Sequence, residues 1–286
     1  MIIDGKQLAA TILEDCKKTV QQLQTRGITP TMAVILVGDD PGSTSYVKQK
    51  EKAAERIGAK LRITNYKLQI TKNTIQSTIQ QYNNDTTIHG IIIQRPLPTH
   101  LQDLTLLNSI LPSKDIDGFV PNTPFDVPVA KAVIKIIQKS YALRGKKYEE
   151  GAFFRWLTEQ HIVVIGRGET AGKPIADMFK KFNTSPTVVH TETSIEEKEI
   201  AFRHADIIIS CVGKEHTVTP SLIQQGVMLI SVGIWRDNEG KLHGDYQEDA
   251  IKDIASFYTP TPGGVGPVNV ACLMENLVQA AGRNQK

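Results

Sequence analysis

The stretch from Ile162 to Pro174, IVVIGRGETAGKP, decides the fold of this chain. Its four β-branched apolar residues are typical of a buried strand, and they run directly into a turn that carries Gly166, Gly168 and Gly172. A helical pattern follows, so helix N-terminal N–H groups lie where glycines allow an anion to approach closely. The spacing is GxGxxxG and not the more common GxGxxG, but its place between strand and helix favours a phosphate-binding turn. We therefore predict a Rossmann-like domain that binds a dinucleotide.

The same alternation of short apolar runs and longer helical segments continues in both directions from this stretch. The predicted strands are 32–37, 62–68, 89–94, 161–165, 187–190, 206–212 and 227–232. The predicted helices include 6–23, 43–57, 74–82, 101–111 and 127–137. Strands that alternate with helices are typical of parallel sheets covered by helices. We predict an α/β protein of two domains, an N-terminal α/β catalytic domain and the C-terminal Rossmann-like parallel-sheet domain, with a cleft between them.

The predicted N-terminal domain covers residues 1–120, and the Rossmann-like domain covers residues 121–267. We expect a C-terminal helix over 268–283 to pack back on the N-terminal domain. Residues 139–151 are rich in Lys, Glu and Gly and poor in apolar side chains, so we expect an exposed insertion there.

Composition and charge exclude several classes of protein. The 33 basic and 30 acidic residues leave a net charge of +3, which is too balanced to indicate a nucleic acid partner. The longest apolar runs are far below the roughly 18 residues that a membrane span needs, so we expect no membrane association. The three cysteines are widely separated and lack zinc spacing, so we predict no metal site. The N-terminus lacks the pattern of a secretory signal, and we expect a cytoplasmic protein.

One lysine interrupts an apolar helix face. Helical spacing places five residues on one side of the predicted helix 43–57, namely Tyr46, Lys50, Ala53, Ala54 and Ile57. The Lys50 stem could cross the edge of the core while its ammonium group reaches water, and spacing alone favours this interpretation. The alternative is a desolvated Lys50 whose lowered pKa lets it exchange protons, with Tyr46 one turn away.

Polar residues follow the predicted strand 89–94. Ligands of parallel sheets sit beyond the carboxyl ends of strands, which is where Gln94 and Arg95 lie. Asp115 and Asp117 flank a turn further on, where a carboxylate could accept hydrogen bonds from a ring amide and amine. A simple strand exit and a common Asp-Gly turn are the alternatives.

The residues after the predicted strand 187–190 bear on the type of dinucleotide. NAD-binding domains place an acidic residue there for the ribose 2′-hydroxyl. Here Thr191 comes first, Glu192 follows, and Arg167 lies in the glycine turn. A hydroxyl and a cation suit a 2′-phosphate, so we predict NADP over NAD, with Glu192 as the residue that would favour NAD.

Five motifs, in this order, resemble the bifunctional methylenetetrahydrofolate dehydrogenase/cyclohydrolase (FolD) family, and the resemblance spans nearly the whole chain. The motifs are Tyr46-Val-x-x-Lys50, Gln94-x-Pro-Leu-Pro98, Lys114-Asp-x-Asp-Gly-Phe119, Gly166-Arg-x-x-x-x-Gly-x-Pro174 and Pro262-Gly-Gly-Val-Gly-Pro267. The resemblance implies oxidation of 5,10-methylenetetrahydrofolate with NADP and hydrolysis of the product to 10-formyltetrahydrofolate. It also implies a homodimer.

The resemblance assigns roles on the folate side. Lys50 would be the catalytic lysine of the hydrolytic step, Tyr46 would pack on the folate, and Gln94 would hold Lys50 in place. Asp117 would hydrogen-bond the pterin. The loop residues Pro262, Gly263 and Gly264 would close over the substrate.

The resemblance also assigns the cofactor residues. Gly166, Arg167, Gly168 and Gly172 would line the phosphates of NADP. Thr191 would lie near its 2′-phosphate, and Ile234 would touch the cofactor by its backbone.

Two departures from the family keep alternatives open. Arg95 replaces an aliphatic residue beside Lys50, so a monofunctional dehydrogenase with weak cyclohydrolase activity is one alternative. Gly168 replaces a serine in the phosphate turn, so a non-catalytic folate-binding paralogue is another.

Overall fold

The computed structural model describes residues 1–145 and 149–283 of the chain. The chain groups into two compact units. The Lys50 unit consists of Ala9–Pro128 and the residues from Val270 onward, and the glycine-turn unit consists of Met1–Leu8 and Val129–Asn269. The first eight residues therefore group with the glycine turn, whereas the predicted domain limits assign them to the N-terminal domain.

A three-stranded parallel sheet forms the centre of the Lys50 unit. The elements of this part of the chain are α1 (Gly5–Gln24), β1 (Thr31–Val37), α2 (Pro41–Ile57), β2 (Lys60–Tyr66), α3 (Lys72–Asn84), β3 (Gly90–Ile93) and α4 (Leu104–Leu107). The strand order is β2-β1-β3. Strand β3 is buried throughout and β1 nearly so, which explains their continuous apolar sequences, whereas the edge strand β2 is partly exposed.

A five-stranded parallel sheet forms the centre of the glycine-turn unit. The remaining elements are α5 (Pro128–Leu143), α6 (Glu150–Thr158), β4 (Ile162–Ile165), α7 (Gly172–Lys181), β5 (Thr187–Val189), α8 (Ile195–His204), β6 (Ile207–Ser210), β7 (Met228–Ser231), β8 (Trp235–Arg236), β9 (Leu242–His243), α9 (Glu248–Ile251), β10 (Phe257–Tyr258) and α10 (Val265–Arg283). The strand order is β10-β7-β6-β4-β5, and β8 and β9 form a separate antiparallel hairpin. Strands β4, β6 and β7 are fully buried, so the sheet carries the core of this unit.

The start of the chain lies along the edge strand β10. The backbone N–H of Ile3 donates to the carbonyl of Tyr258 at 2.9 Å, and the N–H of Tyr258 donates to the carbonyl of Met1 at 3.0 Å. These hydrogen bonds join residues at opposite ends of the sequence and explain why Met1–Leu8 belongs to the glycine-turn unit.

The seven predicted strands are all confirmed, each within two residues at both ends. The predicted helix 101–111 is wrong, because only Leu104–Leu107 is α-helical. The carboxylate of Asp103 accepts a hydrogen bond from the N–H of Thr105 at 2.7 Å, which starts a short turn there, and Pro112 begins a separate 3₁₀ turn.

Most of the described residues in the predicted insertion at 139–151 are exposed, as expected, but much of this stretch belongs to two helices and not to an inserted loop. Helix α5 continues to Leu143, with Ser140 and Tyr141 buried, and α6 begins at Glu150. Apolar residues outnumber basic residues in α5, so the helical pattern continues. The ring of Tyr141 packs edge-on against that of Phe153, with 5.5 Å between the ring centroids. Residues 146–148 of the predicted insertion lie outside the described residues.

No helix within residues 1–145 and 149–283 is long and apolar enough to cross a membrane.

Candidate active site

Helix α2 carries Lys50 with a well-defined start and end. The carboxylate of Asp40 caps the first turn by accepting from the N–H of Ser43 at 2.7 Å, and Pro41 occupies the first helical position. The helix ends at Gly58, whose φ of 78° suits the left-handed cap. These signals fix the helical register, which places Tyr46 one turn before Lys50, and both residues are partly buried.

Lys50 is hydrogen-bonded to Gln94, the residue that follows β3. Its Nζ donates a hydrogen bond to Oε1 of Gln94 at 2.8 Å. Gln94 is buried, and its own Nε2 donates to the carbonyl of Arg95 at 2.7 Å. Because this bond occupies the amide nitrogen, the Gln94 side chain presents its oxygen to the lysine.

Three influences act on the Lys50 amine. Burial is the largest, and it lowers the pKa of Lys50 because the charged form loses solvation. The negative charge of Asp117 raises this pKa, and the positive charge of Arg95 lowers it. The net effect is a lowered pKa, so the structure supports the desolvated lysine over a lysine whose ammonium group reaches into bulk water.

The two aspartates of the motif at 114–119 differ in burial and in their interactions. Asp115 is buried, and its carboxylate accepts hydrogen bonds from the N–H groups of Gly118 at 3.1 Å and Val120 at 2.7 Å. These bonds close the turn, while burial raises the pKa of Asp115. Asp117 is partly exposed and its charge acts on Lys50, so of the two aspartates Asp117 has the accessible carboxylate near the amine.

The guanidinium of Arg95 packs on an aromatic ring. Its central carbon lies 3.8 Å from the centroid of the Phe119 ring, a distance suited to a cation–π contact. This contact restrains a cation beside Lys50, at the position where the sequence departs from the family pattern.

Two supporting residues were not predicted from the sequence as part of this site. Asn276 is buried in α10, and its Nδ2 donates to the carbonyls of Ile116 at 2.8 Å and Asp126 at 2.9 Å, which ties the residue before Asp117 to the segment at 126. Lys114 is buried and donates to three backbone carbonyls at the end of α3, those of Tyr82, Asn83 and Asp85, each at 2.8 Å. The sequence signal that could have identified Asn276 is a polar residue within the apolar pattern of α10, because a buried polar side chain needs hydrogen-bond partners.

The glycine turn of the other unit is tightly built at two of its three glycines. Gly166 has a φ of 100°, and its N–H donates to the carbonyl of Val189 at 2.8 Å. A Cβ atom on Gly172 would collide with the carbonyl oxygen of Gly166, so only glycine lets α7 begin this close to the turn. A Cβ on Gly168 would meet no atom within 4 Å. We call the turn at 166–172 the cradle; its backbone is packed so closely at Gly166 and Gly172 that a side chain at 172 would displace the start of α7.

Charged residues flank this cradle. The Nη2 of Arg167 lies 2.8 Å from Oε1 of Glu192, and both side chains are largely exposed, as is Thr191. Glu192, the residue that would favour NAD, therefore lies at the same place as the predicted NADP residues Arg167 and Thr191.

Ile234 lies beside the loop that follows β6. A Cβ on Gly213, which has a φ of 70°, would lie 2.9 Å from the carbonyl oxygen of Ile234. The fully buried Asp245 accepts from the N–H groups of Val212 at 3.2 Å and Lys214 at 2.9 Å and so fixes this loop. Asp245 was not predicted from the sequence, because its partners are some thirty residues away along the chain.

The loop with the predicted residues Pro262, Gly263 and Gly264 is closely packed. Gly263 has a φ of 110°, and Gly264 is buried against the backbone of Pro260. A Cβ on Gly5 would collide with the carbonyl of Gly264, so the loop lies against the first residues of α1. Within each unit, the structure thus brings Lys50, Gln94 and Asp117 together, and it brings Arg167 together with Glu192 beside the cradle.

Two family models match the chain. The model of the tetrahydrofolate dehydrogenase/cyclohydrolase catalytic domain matches residues 3–117, and the model of the NAD(P)-binding domain of the same family matches residues 154–285.

Relatives and solved structures match over nearly the full length. The bifunctional protein FolD of Geobacillus thermodenitrificans is 36% identical over 288 residues, which cover 98% of this chain and 96% of that protein. The crystal structure of the bifunctional enzyme FolD from Campylobacter jejuni is 34% identical, with a TM-score of 0.90 and coverage of 99% and 98% of the two chains. The Trypanosoma brucei methylenetetrahydrofolate dehydrogenase-cyclohydrolase, complexed with NADP cofactor and inhibitor, is 28% identical, with a TM-score of 0.88 and coverage of 99% and 97%.

Proposed function

The chain belongs to the tetrahydrofolate dehydrogenase/cyclohydrolase family, and from this premise we propose how its own residues carry out the two reactions. The enzyme oxidises 5,10-methylenetetrahydrofolate to 5,10-methenyltetrahydrofolate with NADP, and it hydrolyses the methenyl compound to 10-formyltetrahydrofolate. In the first reaction the enzyme mainly positions the methylene carbon of the folate against the nicotinamide, because the nitrogens on either side of this carbon stabilise the cation that forms. The second reaction needs a group that exchanges protons.

The glycine-turn unit fits a dinucleotide. Glycine at 166 allows a φ of 100°, and glycine at 172 lets α7 begin close to the turn, where helix N–H groups attract phosphate. The residues that would hold NADP are Gly166, Arg167, Gly168, Gly172, Thr191 and Ile234. NADP, when bound, accepts the hydride that leaves the methylene carbon. Arg167 supplies the cation and Thr191 the hydroxyl for the 2′-phosphate.

The proposed folate-binding residues come from three of the five motifs. The ring of Tyr46 packs on the folate, and the carboxylate of Asp117 accepts hydrogen bonds from pterin N–H groups. Pro262, Gly263 and Gly264 remain predicted substrate-binding residues.

Lys50 exchanges the protons of the hydrolytic reaction. In its neutral form the amine takes a proton from the water that adds to the methenyl carbon. The resulting ammonium gives this proton to the ring nitrogen N5, the bond between that nitrogen and the carbon breaks, and the former water oxygen loses its remaining proton to solvent. The lowered pKa makes the neutral amine available, and Gln94 keeps it in place.

The hydrogen bond between Lys50 and Gln94, set beside the charge of Asp117, is the observation that carries this proposal. The test is a Lys50→Gln variant supplied with methylenetetrahydrofolate and NADP, with NADPH and the methenyl compound followed together by absorbance. We expect NADPH to form at a rate near that of the parent while the methenyl compound accumulates, since hydrolysis slows by about 10²- to 10⁴-fold.

Lys48→Gln is the matched control, because Lys48 is an exposed lysine on the same helix. Hydrolysis at the parent rate in the Lys50→Gln protein would remove Lys50 from the mechanism. A parent protein that itself accumulates the methenyl compound would be a dehydrogenase with weak cyclohydrolase activity. A parent that forms no NADPH would be a folate-binding paralogue.

We further propose that the enzyme is a cytoplasmic homodimer. Helix α8, which follows the edge strand β5, exposes Ile195 to 76% and Ile200 to 54%. Two exposed isoleucines on one ten-residue helix support a self-association surface on α8. Fractionation of cells that express the chain tests the location.

A further inference from the structure

The pair of Arg167 and Glu192 joins the ends of two neighbouring strands. Strands β4 and β5 are parallel, and Ile165 at the end of β4 pairs with Val189 at the end of β5. The chain continues from β4 into the glycine turn with Arg167 and from β5 into residues 190–193. The guanidinium and the carboxylate meet at 2.8 Å beyond this edge, where dinucleotide-binding sheets hold the adenosine ribose.

A hydrogen-bonded turn fixes the position of Glu192. The N–H of His190 donates to Oγ1 of Thr193 at 3.0 Å, and the N–H of Thr193 donates to the carbonyl of His190 at 3.1 Å. Within this turn the N–H of Glu192 donates to Nδ1 of His190 at 3.3 Å. The Glu192 carboxylate is therefore presented from a held backbone within reach of the exposed guanidinium of Arg167.

The two members of the pair suit different cofactors. A guanidinium binds a phosphate through two parallel hydrogen bonds, whereas a carboxylate accepts a hydrogen bond from a ribose 2′-hydroxyl. The 2′-phosphate of NADP carries between one and two negative charges, so Glu192 both competes for Arg167 and repels this phosphate. The 2′-hydroxyl of NAD meets no such repulsion.

We propose that Glu192 determines the cofactor specificity of this enzyme by lowering its preference for NADP, so that the enzyme uses NAD as well. The inference rests on the proposed function, because it takes Arg167 as the residue that binds the 2′-phosphate. Each cofactor has one member of the pair as its partner at the 2′ position. NADP binding requires the ion pair to open, and NAD binding leaves it intact.

The test compares Glu192→Gln with the parent protein. The dissociation constants of NADP and NAD are measured by titration calorimetry, and kcat/KM for both cofactors is measured with methylenetetrahydrofolate. We expect the variant to prefer NADP over NAD by about tenfold or more relative to the parent, with tighter NADP binding and weaker NAD binding, because one nearby charge is removed.

Two further variants complete the design. Arg167→Gln should lose affinity for NADP and much less for NAD. Glu14→Gln, an equal change of charge at an exposed residue of α1, should leave the ratio unchanged. A Glu192→Gln protein whose ratio of the two dissociation constants equals that of the parent would overturn the inference. Failure of the parent to oxidise methylenetetrahydrofolate with either cofactor would instead overturn the proposed function, and the binding ratios would still decide the role of Glu192.

Discussion

The amine of Lys50 lies between two opposite charges, and this arrangement allows its pKa to be adjusted by single substitutions. Arg95 lowers the pKa of Lys50, so Arg95→Leu should raise it. A higher pKa reduces the fraction of neutral amine near neutrality, and the acidic limb of the pH profile for methenyltetrahydrofolate hydrolysis should move to higher pH. Enzyme-dependent hydrolysis measured across pH checks this direction.

Arg56→Leu is the control, because Arg56 is an exposed arginine near the end of the same helix. An Arg95→Leu protein whose acidic limb stays in place would show that Arg95 does not act on the proton-exchanging group. The effect also separates Arg95 from a role in substrate affinity alone, which would change KM and leave the limb unmoved.

At the level of single residues, local patterns predict the candidate side chains, and the pairing of Lys50 with Gln94 follows only from the family resemblance. Lys50 and Gln94 are predicted from a helix face and a strand end, and both features depend on local periodicity. The choice between Asp115 and Asp117 depends on which carboxylate the turn itself uses, and this follows only from the bonds to Gly118 and Val120.

At the level of elements, the start of α7 depends on one glycine of the turn and not on another. Gly172→Ala should force the helix away from Gly166, lower the free energy of unfolding by about 1–3 kcal/mol, and weaken NADP binding. Gly168→Ala should change the free energy of unfolding by no more than about 0.5 kcal/mol, because its Cβ meets no neighbour. Chemical denaturation and NADP titration of both variants check this contrast. Equal effects of the two substitutions would contradict it.

The side chain of Lys114 stabilises the end of helix α3. Its ammonium donates to three carbonyls at this helix end, and one of them, that of Asp85, also accepts from the N–H of Ile88 at 3.1 Å. Lys114→Met should lower the free energy of unfolding by about 1–3 kcal/mol, measured by chemical denaturation, because these acceptors lose their donor. An unchanged denaturation midpoint in that variant would mean that the cost of burying the charge equals the benefit of the bonds.

The elements themselves were predictable in proportion to their length and burial. The central strands of both sheets are continuous apolar runs, and all of them are predicted from the sequence. The hairpin β8–β9 and strand β10 have two residues per strand, which is too short for any periodicity to indicate them. The predicted helix 101–111 has an apolar pattern, but Asp103 starts a turn that periodicity does not reveal.

At the level of the whole molecule, the division into units was harder to predict than the fold class. Two alternating α/β halves indicate parallel sheets directly. The grouping of Met1–Leu8 with the glycine-turn unit depends on bonds between Ile3 and Tyr258, and these join residues that are far apart in the sequence. The two bonds of Asn276 are of the same kind, since they span 150 residues or more.

The proposed homodimer gives a prediction at this scale. Ile195→Glu combined with Ile200→Glu should convert the dimer to a monomer, because it places charges on both exposed isoleucines of α8. Sedimentation equilibrium at several concentrations measures the change. Leu111→Glu, at another exposed apolar residue, is the control and should remain dimeric. A double variant with the parent's mass in solution would place the dimer contact elsewhere.

The most direct test of the central claim is the titration of the Lys50 amine itself, followed by NMR in protein with isotope-labelled lysine and assigned by loss of the signal in Lys50→Gln. An amine that burial deprives of solvation and that exchanges protons with the substrate should titrate below the ordinary lysine pKa of about 10.4, and Arg95→Leu should move it upward. An amine that titrates at the ordinary value in both proteins would contradict the claim.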